Sequence, residues 1–175
     1  ETDVGLTKDG KILAVGAQND DGYGNNAANG GAVHLFTFDD SDFTNATYVA
    51  SIGNDYIKED RPKNYDTSGI SGFKAGQVAI DGDGNRLAIG HHDTDDVHVF
   101  GFQDTSLNGA SLQFTIGLGQ TGSNTLNATT HGLEDADEFP NSIAMDDTGT
   151  LMAVGATRDD GLSNGASDTG AVYLW

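Results

Sequence analysis

The stretch Leu151–Trp175, LMAVGATRDDGLSNGASDTGAVYLW, decides how the rest of the chain is read. It opens on a short apolar run, Leu151 to Gly155. It passes through a loop rich in Asp, Asn and Gly, and closes on a second apolar run, Gly170 to Trp175. The same order stands at Ile12–Phe36, ILAVGAQNDDGYGNNAANGGAVHLF. It stands again, with the loop cut short, at Leu87–Phe100, LAIGHHDTDDVHVF. Repetition at a spacing of several tens of residues implies a repeat architecture, in which each unit buries an apolar face against the next.

The apolar runs are short, β-branched and bounded by Gly, Asp and Asn, which is the pattern of strands. Twenty-five Gly residues in the chain argue against long helices. Working outward, strands are expected over Val4–Thr7, Ile12–Ala17, Ala32–Phe38 and Thr47–Ile52. A second round follows over Gln77–Ile80, Leu87–Gly90, Val97–Phe102 and Leu112–Ile116. A third follows over Ser142–Met145, Leu151–Val154 and Ala171–Trp175. The register repeats: Phe43–Gly53 aligns with Leu107–Gly117 without a gap. These rounds read as antiparallel four-stranded blades within one domain, residues 1–175. Blade 1 spans about 4–53, blade 2 about 73–117 and blade 3 about 139–175, the last incomplete.

Both faces of the strands are apolar. Along the third strand of each round, one face carries His34 and Phe36, His98 and Phe100, Tyr173 and Trp175. The other carries Val33 and Leu35, Val97 and Val99, Val172 and Leu174. A sheet wetted on one side would show polar residues on one of these faces. The pattern predicts an all-β fold of stacked β-propeller blades, with a two-sheet β-sandwich as the alternative.

The 27 acidic residues stand against 8 Lys and Arg, a net charge of −19. Such a field repels phosphates, so nucleic acid and anionic membranes are excluded as expected partners. It suits solubility, cation binding or high salt. Cys is absent, which excludes a disulfide framework and thiolate metal sites. No apolar run reaches the length of a membrane helix, so membrane insertion is not expected, and no signal peptide is visible.

The order Phe139-x-x-Ser142-Ile143-Ala144, then Asp146-Asp147-Thr148-Gly149, then Met152–Ala156 and Gly170–Leu174 resembles the FG-GAP repeat, the blade of integrin α-chain propellers and of bacterial surface proteins. Three copies cover nearly the whole chain. The first lacks its leading Phe-Gly element, Pro140 stands where the family has Gly, and three blades are fewer than the family's usual seven. The resemblance implies a non-catalytic, extracellular or cell-surface adhesion module. It also implies a Ca²⁺ loop between the first two strands of a blade. Asp81-Gly82-Asp83-Gly84-Asn85 keeps that loop's alternation of oxygen ligands but lacks a closing carboxylate. Lys8–Lys11 and Asp146–Gly149 keep less of it, and all three read equally as hairpin turns.

In an antiparallel meander the loops after the second and fourth strands leave at the same end. Here those are the long ones: Gln18–Gly31, Gly53–Gly76, His91–Asp95, Gly117–Asn141 and Thr157–Gly170. Binding is expected on that rim, to a protein or glycan ligand. Within it Asp20, Asp21 and Asn25 recur as Asp159, Asp160 and Asn164. Carboxylates with an amide are the ligands a hard cation such as Ca²⁺ takes, and equally the residues that brace a loop through its backbone. Glu134–Glu138 reads as a solvated acidic face, and Lys58, Arg61 and Lys63 as the one basic cluster. His91, His92 and His131 lie near carboxylates without a metal-site spacing or a nucleophile elbow. His34 and His98, at matching strand positions, read as packed and hydrogen-bonded. The alternative role is structural: an oligomer or filament in which open edge strands pair with neighbouring chains. Asn45 and Asn127 carry the Asn-x-Thr pattern of glycan acceptors.

Overall fold

The computed structural model describes residues 3–58, 63–163 and 165–175. The first sheet runs as a meander through β1 (Val4–Leu6), β2 (Ile12–Ala17), β3 (Ala32–Thr37) and β4 (Thr47–Gly53). A short β5 (Tyr65–Asp66) lies parallel to β4 on its outer edge. The second sheet repeats this with β6 (Gln77–Ile80), β7 (Arg86–His91), β8 (Asp96–Gly101) and β9 (Ser111–Gly117), and with β10 (Thr125–Asn127) parallel to β9. The third sheet holds β11 (Ser142–Met145), β12 (Met152–Ala156) and β13 (Ala171–Leu174). The fold is all-β, in blades, and the sheets do not close into a ring. The parallel fifth strands are the element the four-stranded reading leaves out. They are two and three residues long, inside connections too polar to show an alternating pattern.

Each hairpin closes in the same way. Asp81 accepts backbone N–H bonds from Asn85 and Arg86, and Asp146 accepts them from Thr150 and Leu151. Thr7 holds the equivalent turn through the N–H of Ile12. Both complete sheets carry an irregularity at the same place, opposite Leu35/Phe36 and opposite Val99/Phe100. An extra residue there increases the twist of the outer strand.

The sheets stack in chain order, with β1 and β11 both packed on β6. Each interface joins two unlike faces. The small-residue face of the first sheet (Ala14, Val33, Leu35, Ala50, Ile52) packs on the larger-residue face of the second (Val78, Ile80, Leu87, Ile89, Phe100). The small-residue face of the second (Ala88, Val97, Val99, Ile116) packs on the third through Met152, Val154, Tyr173 and Trp175. Glycine sets the approach: a Cβ on Gly16 would lie 3.0 Å from the Gly76 carbonyl oxygen, and one on Gly90 would strike Pro140. The middle sheet is therefore buried on both sides through β6, β7 and β8, whereas β11 and β13 alternate between covered and open. Each fully buried Val, Leu, Ile or Phe contributes about 1.5–3 kcal/mol relative to an exposed one.

Candidate functional site

The long connections leave the strands at one end, as the meander requires, and the tight turns at the other. The rim is built on two matching loops. In the first, Asp20 accepts the N–H of Gly22 at 2.8 Å and its carbonyl accepts Gly31 N–H at 2.9 Å. Asp21 accepts Asn29 N–H at 2.8 Å. In the third blade, Asp159 accepts Gly161 N–H at 2.7 Å and its carbonyl accepts Gly170 N–H at 2.9 Å. Asp160 accepts Asp168 N–H at 2.6 Å. The spacings are identical, so the recurring Asp-Asp-Gly encodes one loop conformation twice.

The strands lock these loops from below. Tyr173 donates its hydroxyl hydrogen to Asp159. Burial, then that bond, pushes its phenol above the ordinary range. In the first blade His34 Nε2 lies 3.4 Å from Asp20, and Tyr56 donates to the same carboxylate at 2.9 Å. The other His34 nitrogen, Nδ1, lies 2.7 Å from Ser51 Oγ. His98 occupies the equivalent place in the second blade and bonds Thr115 at 3.0 Å. There the loop is short and none of its aspartates reaches the ring, so Nε2 is buried without a hydrogen-bond partner. Burial holds the imidazole down to about 4.

For the six residues expected to hold a cation, the structure gives two separate loops, one in each outer blade. Asn25 is an exposed residue with φ of 58°, and Asn164 lies outside the described residues. The carboxylates of Asp20, Asp21, Asp159 and Asp160 each already accept a backbone N–H. Ca²⁺ needs six to eight converging oxygens, and a carboxylate turned onto N–H donors fits a brace better than such a cage. At the opposite end Asp81 and Asp146 are likewise engaged by backbone donors, and Lys8 pairs with Asp147. On the rim, Asp21 and Asp160 each use one oxygen, Oδ1, in their backbone bonds. Among the described residues, His91, His92 and Asp93 bring donor atoms within 4.8 Å of one another. Lys74 holds Asp93 at 3.1 Å and the Asp93 N–H donates to His91 Nδ1, which opposes a cation there as well.

The feature that sequence reasoning missed is a band of acids between the second and third blades. Asp95 is buried, with φ of 52°, and its Oδ1 has no partner. Burial first, then Asp135, Asp96 and Asp137, raises its carboxyl to about 7. Asp96 is raised to about 6 by burial, against a 2.7 Å hydrogen bond from Gln120. Asp137 is buried too and raised by burial, while accepting Glu134 N–H at 2.7 Å. The Glu134–Glu138 run is thus half structural, since Asp137 turns inward. The signal in the sequence is Gly117, where any side chain would collide with Asp96. Asp96 lies in the wall of a rim cleft of about 560 Å³ formed by the two long connections, at Gly69–Gly72 and Gly119–Thr121. A wider groove of about 780 Å³ sits at the turn end beside Lys8, Lys11 and Lys63, where Lys63 donates to the Ser106 carbonyl. Of the basic cluster read in the sequence, Lys58 pairs with Asp55 at 2.6 Å, and Arg61 lies outside the described residues.

Stacked antiparallel blades with a loop-bearing rim define a propeller-type module. Within it, residues 129–175 match the FG-GAP repeat family. The fold is similar to a periplasmic gluconolactonase of Pseudomonas aeruginosa, at 12% identity and a TM-score of 0.52, over 91% of this chain and 37% of that one. It is similar also to a functionally unknown protein of Desulfotomaculum acetoxidans, at 14% identity and a TM-score of 0.50, over 98% of this chain and 45% of that one. The chain thus spans less than half the length of these structures, and at such identities the likeness shows the fold alone. No curated protein matches it in sequence.

Proposed function

We propose that the chain is a non-catalytic binding and adhesion module of the cell surface or extracellular space, taking a protein or glycan ligand on its long-loop rim. One observation carries this: five connections gather at one end, and two of them are held in a single repeated conformation by paired aspartates bonded to the loop backbone. A rigid scaffold presenting ordered loops is what recognition requires. Exposed acids on the rim, such as Asp135, favour a ligand with basic groups, since opposite charge speeds encounter and sets orientation.

The test uses a basic peptide immobilised as probe. Asp135→Lys on the rim abolishes retention, while Asp42→Lys and Asp104→Lys at the turn end leave it unchanged. Equal loss from both ends would mean charge alone is being read. Turnover of a lactone or ester that disappears in Asp95→Asn would overturn the non-catalytic reading.

A structural role is the second reading. The outer edge of β13 has no strand partner among the described residues, whereas β3 and β8 are covered by β4 and β9. An apolar groove of about 390 Å³ lies between Phe114, Ile116, Leu126 and Trp175, the residue that follows β13. A strand from a neighbouring chain fits there.

A further inference from the structure

The two internal interfaces are one interface made twice. In the first, Gly5 and Ala14 of the small-residue face meet Ile80 and its neighbours. In the second, the equivalent Ala88 and Gly90 meet Pro140 and Ile143. The strand registers fix the equivalences: Val4↔Val15, Val78↔Ile89 and Ile143↔Val154 are the same pair, as are Leu6↔Leu13, Ile80↔Leu87 and Met145↔Met152. Among the described residues one face of each kind is therefore left without a partner sheet. The third sheet presents the small-residue face, with Ala144 exposed, Val172 69% exposed and Leu174 77% exposed. The first sheet presents the larger-residue face, with Val4 58% and Leu6 45% exposed. Gly155 adds a separate observation. Its equivalents Gly16 and Gly90 are glycine because the next sheet stands where a Cβ would go. A Cβ on Gly155 would meet nothing but Ser142 of its own sheet, at 2.6 Å from a hydroxyl free to turn. The same small residue thus recurs where no further sheet stands among the described residues.

We infer that the open face of the third sheet receives the open face of the first sheet of another copy of this chain, head to tail. The occupant is a second copy because each molecule carries both halves of a contact it already makes internally. Such an interface is heterologous, so it propagates until it closes into a ring or extends as a filament. The contact is between faces and differs from strand exchange at the β13 edge. With a charge of −19 on each copy, association strengthens as salt screens the repulsion.

Light scattering over a dilution series at low and high salt tests this. The unmodified chain gains mass with concentration, more so in high salt. Val4→Lys and Ala144→Lys each weaken association by about tenfold or more. Both positions are exposed, so folding is kept, as near-ultraviolet circular dichroism verifies, and both changes lower the net charge, so general repulsion does not explain a loss. Neither touches the β13 edge. Mixing the two variants restores a dimer, since each keeps one intact face. The inference is overturned if the unmodified chain stays monomeric at every concentration and salt, as it would if those faces are covered by further blades of a longer polypeptide. It is overturned also if both variants still associate, which would assign the contact to the strand edge, or if the mixture does not recover.

Discussion

Asp159 is a single carboxylate that ties a fourteen-residue loop to the strand beneath it, through Gly161 N–H and the Tyr173 hydroxyl. It is buried, so its loss strands two donors. Asp159→Ala is expected to cost about 1–3 kcal/mol in urea unfolding, and Tyr173→Phe about 1 kcal/mol. Asp160→Ala, at the more exposed member of the pair, costs less than either. Asp95 behaves differently, because its burial favours the protonated form. Between the ordinary carboxylate value of 3.8 and about 7, the folded chain keeps a proton that the unfolded chain has released. Stability contributed by this group is therefore full at low pH and lost as pH rises through that window. Asp95→Asn keeps the shape and tolerates the positive φ. It is expected to raise stability by about 1–3 kcal/mol at pH 8, with the gain vanishing near pH 4. His98, held down to about 4, runs the opposite way and loses stability as pH falls from its ordinary 6.5. The comparison must therefore be between the variant and the unmodified chain at each pH. A pH-independent gain would mean that Asp95 is already ionised in the fold.

At the scale of strands and loops, the test of the stacking is glycine. Gly90→Ala drives a methyl into Pro140 and should cost about 1–3 kcal/mol by overpacking. Gly155→Ala, at the matching place in the outer sheet, should stay within about 0.5 kcal/mol in dilute solution. Thermal or urea unfolding of the pair separates the two. This contrast also marks what was legible beforehand. The apolar runs of each round gave away the strands, their register and the propeller-type stacking, because burial on both faces leaves no polar alternation to misread. The rim loops were visible as a recurrence, Asp20 with Asp21 and Asp159 with Asp160. Their hydrogen-bond pattern was not visible, since a carboxylate that braces a backbone and one that awaits a cation look alike in sequence. The parallel β5 and β10 were invisible for the opposite reason: two or three residues carry no period. The acid band was hidden because Asp137 comes from a different connection than the adjacent Asp95 and Asp96, and meets them only when the second and third sheets stack.

For the whole molecule, the stacking order sets where the fold should hold and where it should open. The second sheet is covered on both faces, and β6, β7 and β8 are almost wholly buried. The third sheet is covered on one face, and β13 also lacks an outer neighbour among the described residues. The first sheet is intermediate, with β1 exposing Val4 and Leu6. Local opening is easiest where few apolar contacts must be given up. In dilute solution, hydrogen exchange should therefore be slowest in β7 and β8, faster in β2 and β3, and fastest in β13. Repeating the measurement at high protein concentration and high salt gives the profile a second use. Copies stacked head to tail would cover β13 and β1 together, so both strands would slow while β7 stays as it was. Protection that rose only at the β13 edge would place the contact there instead. A profile already uniform in dilute solution would mean that the three sheets unfold as one unit, with no weaker outer layer.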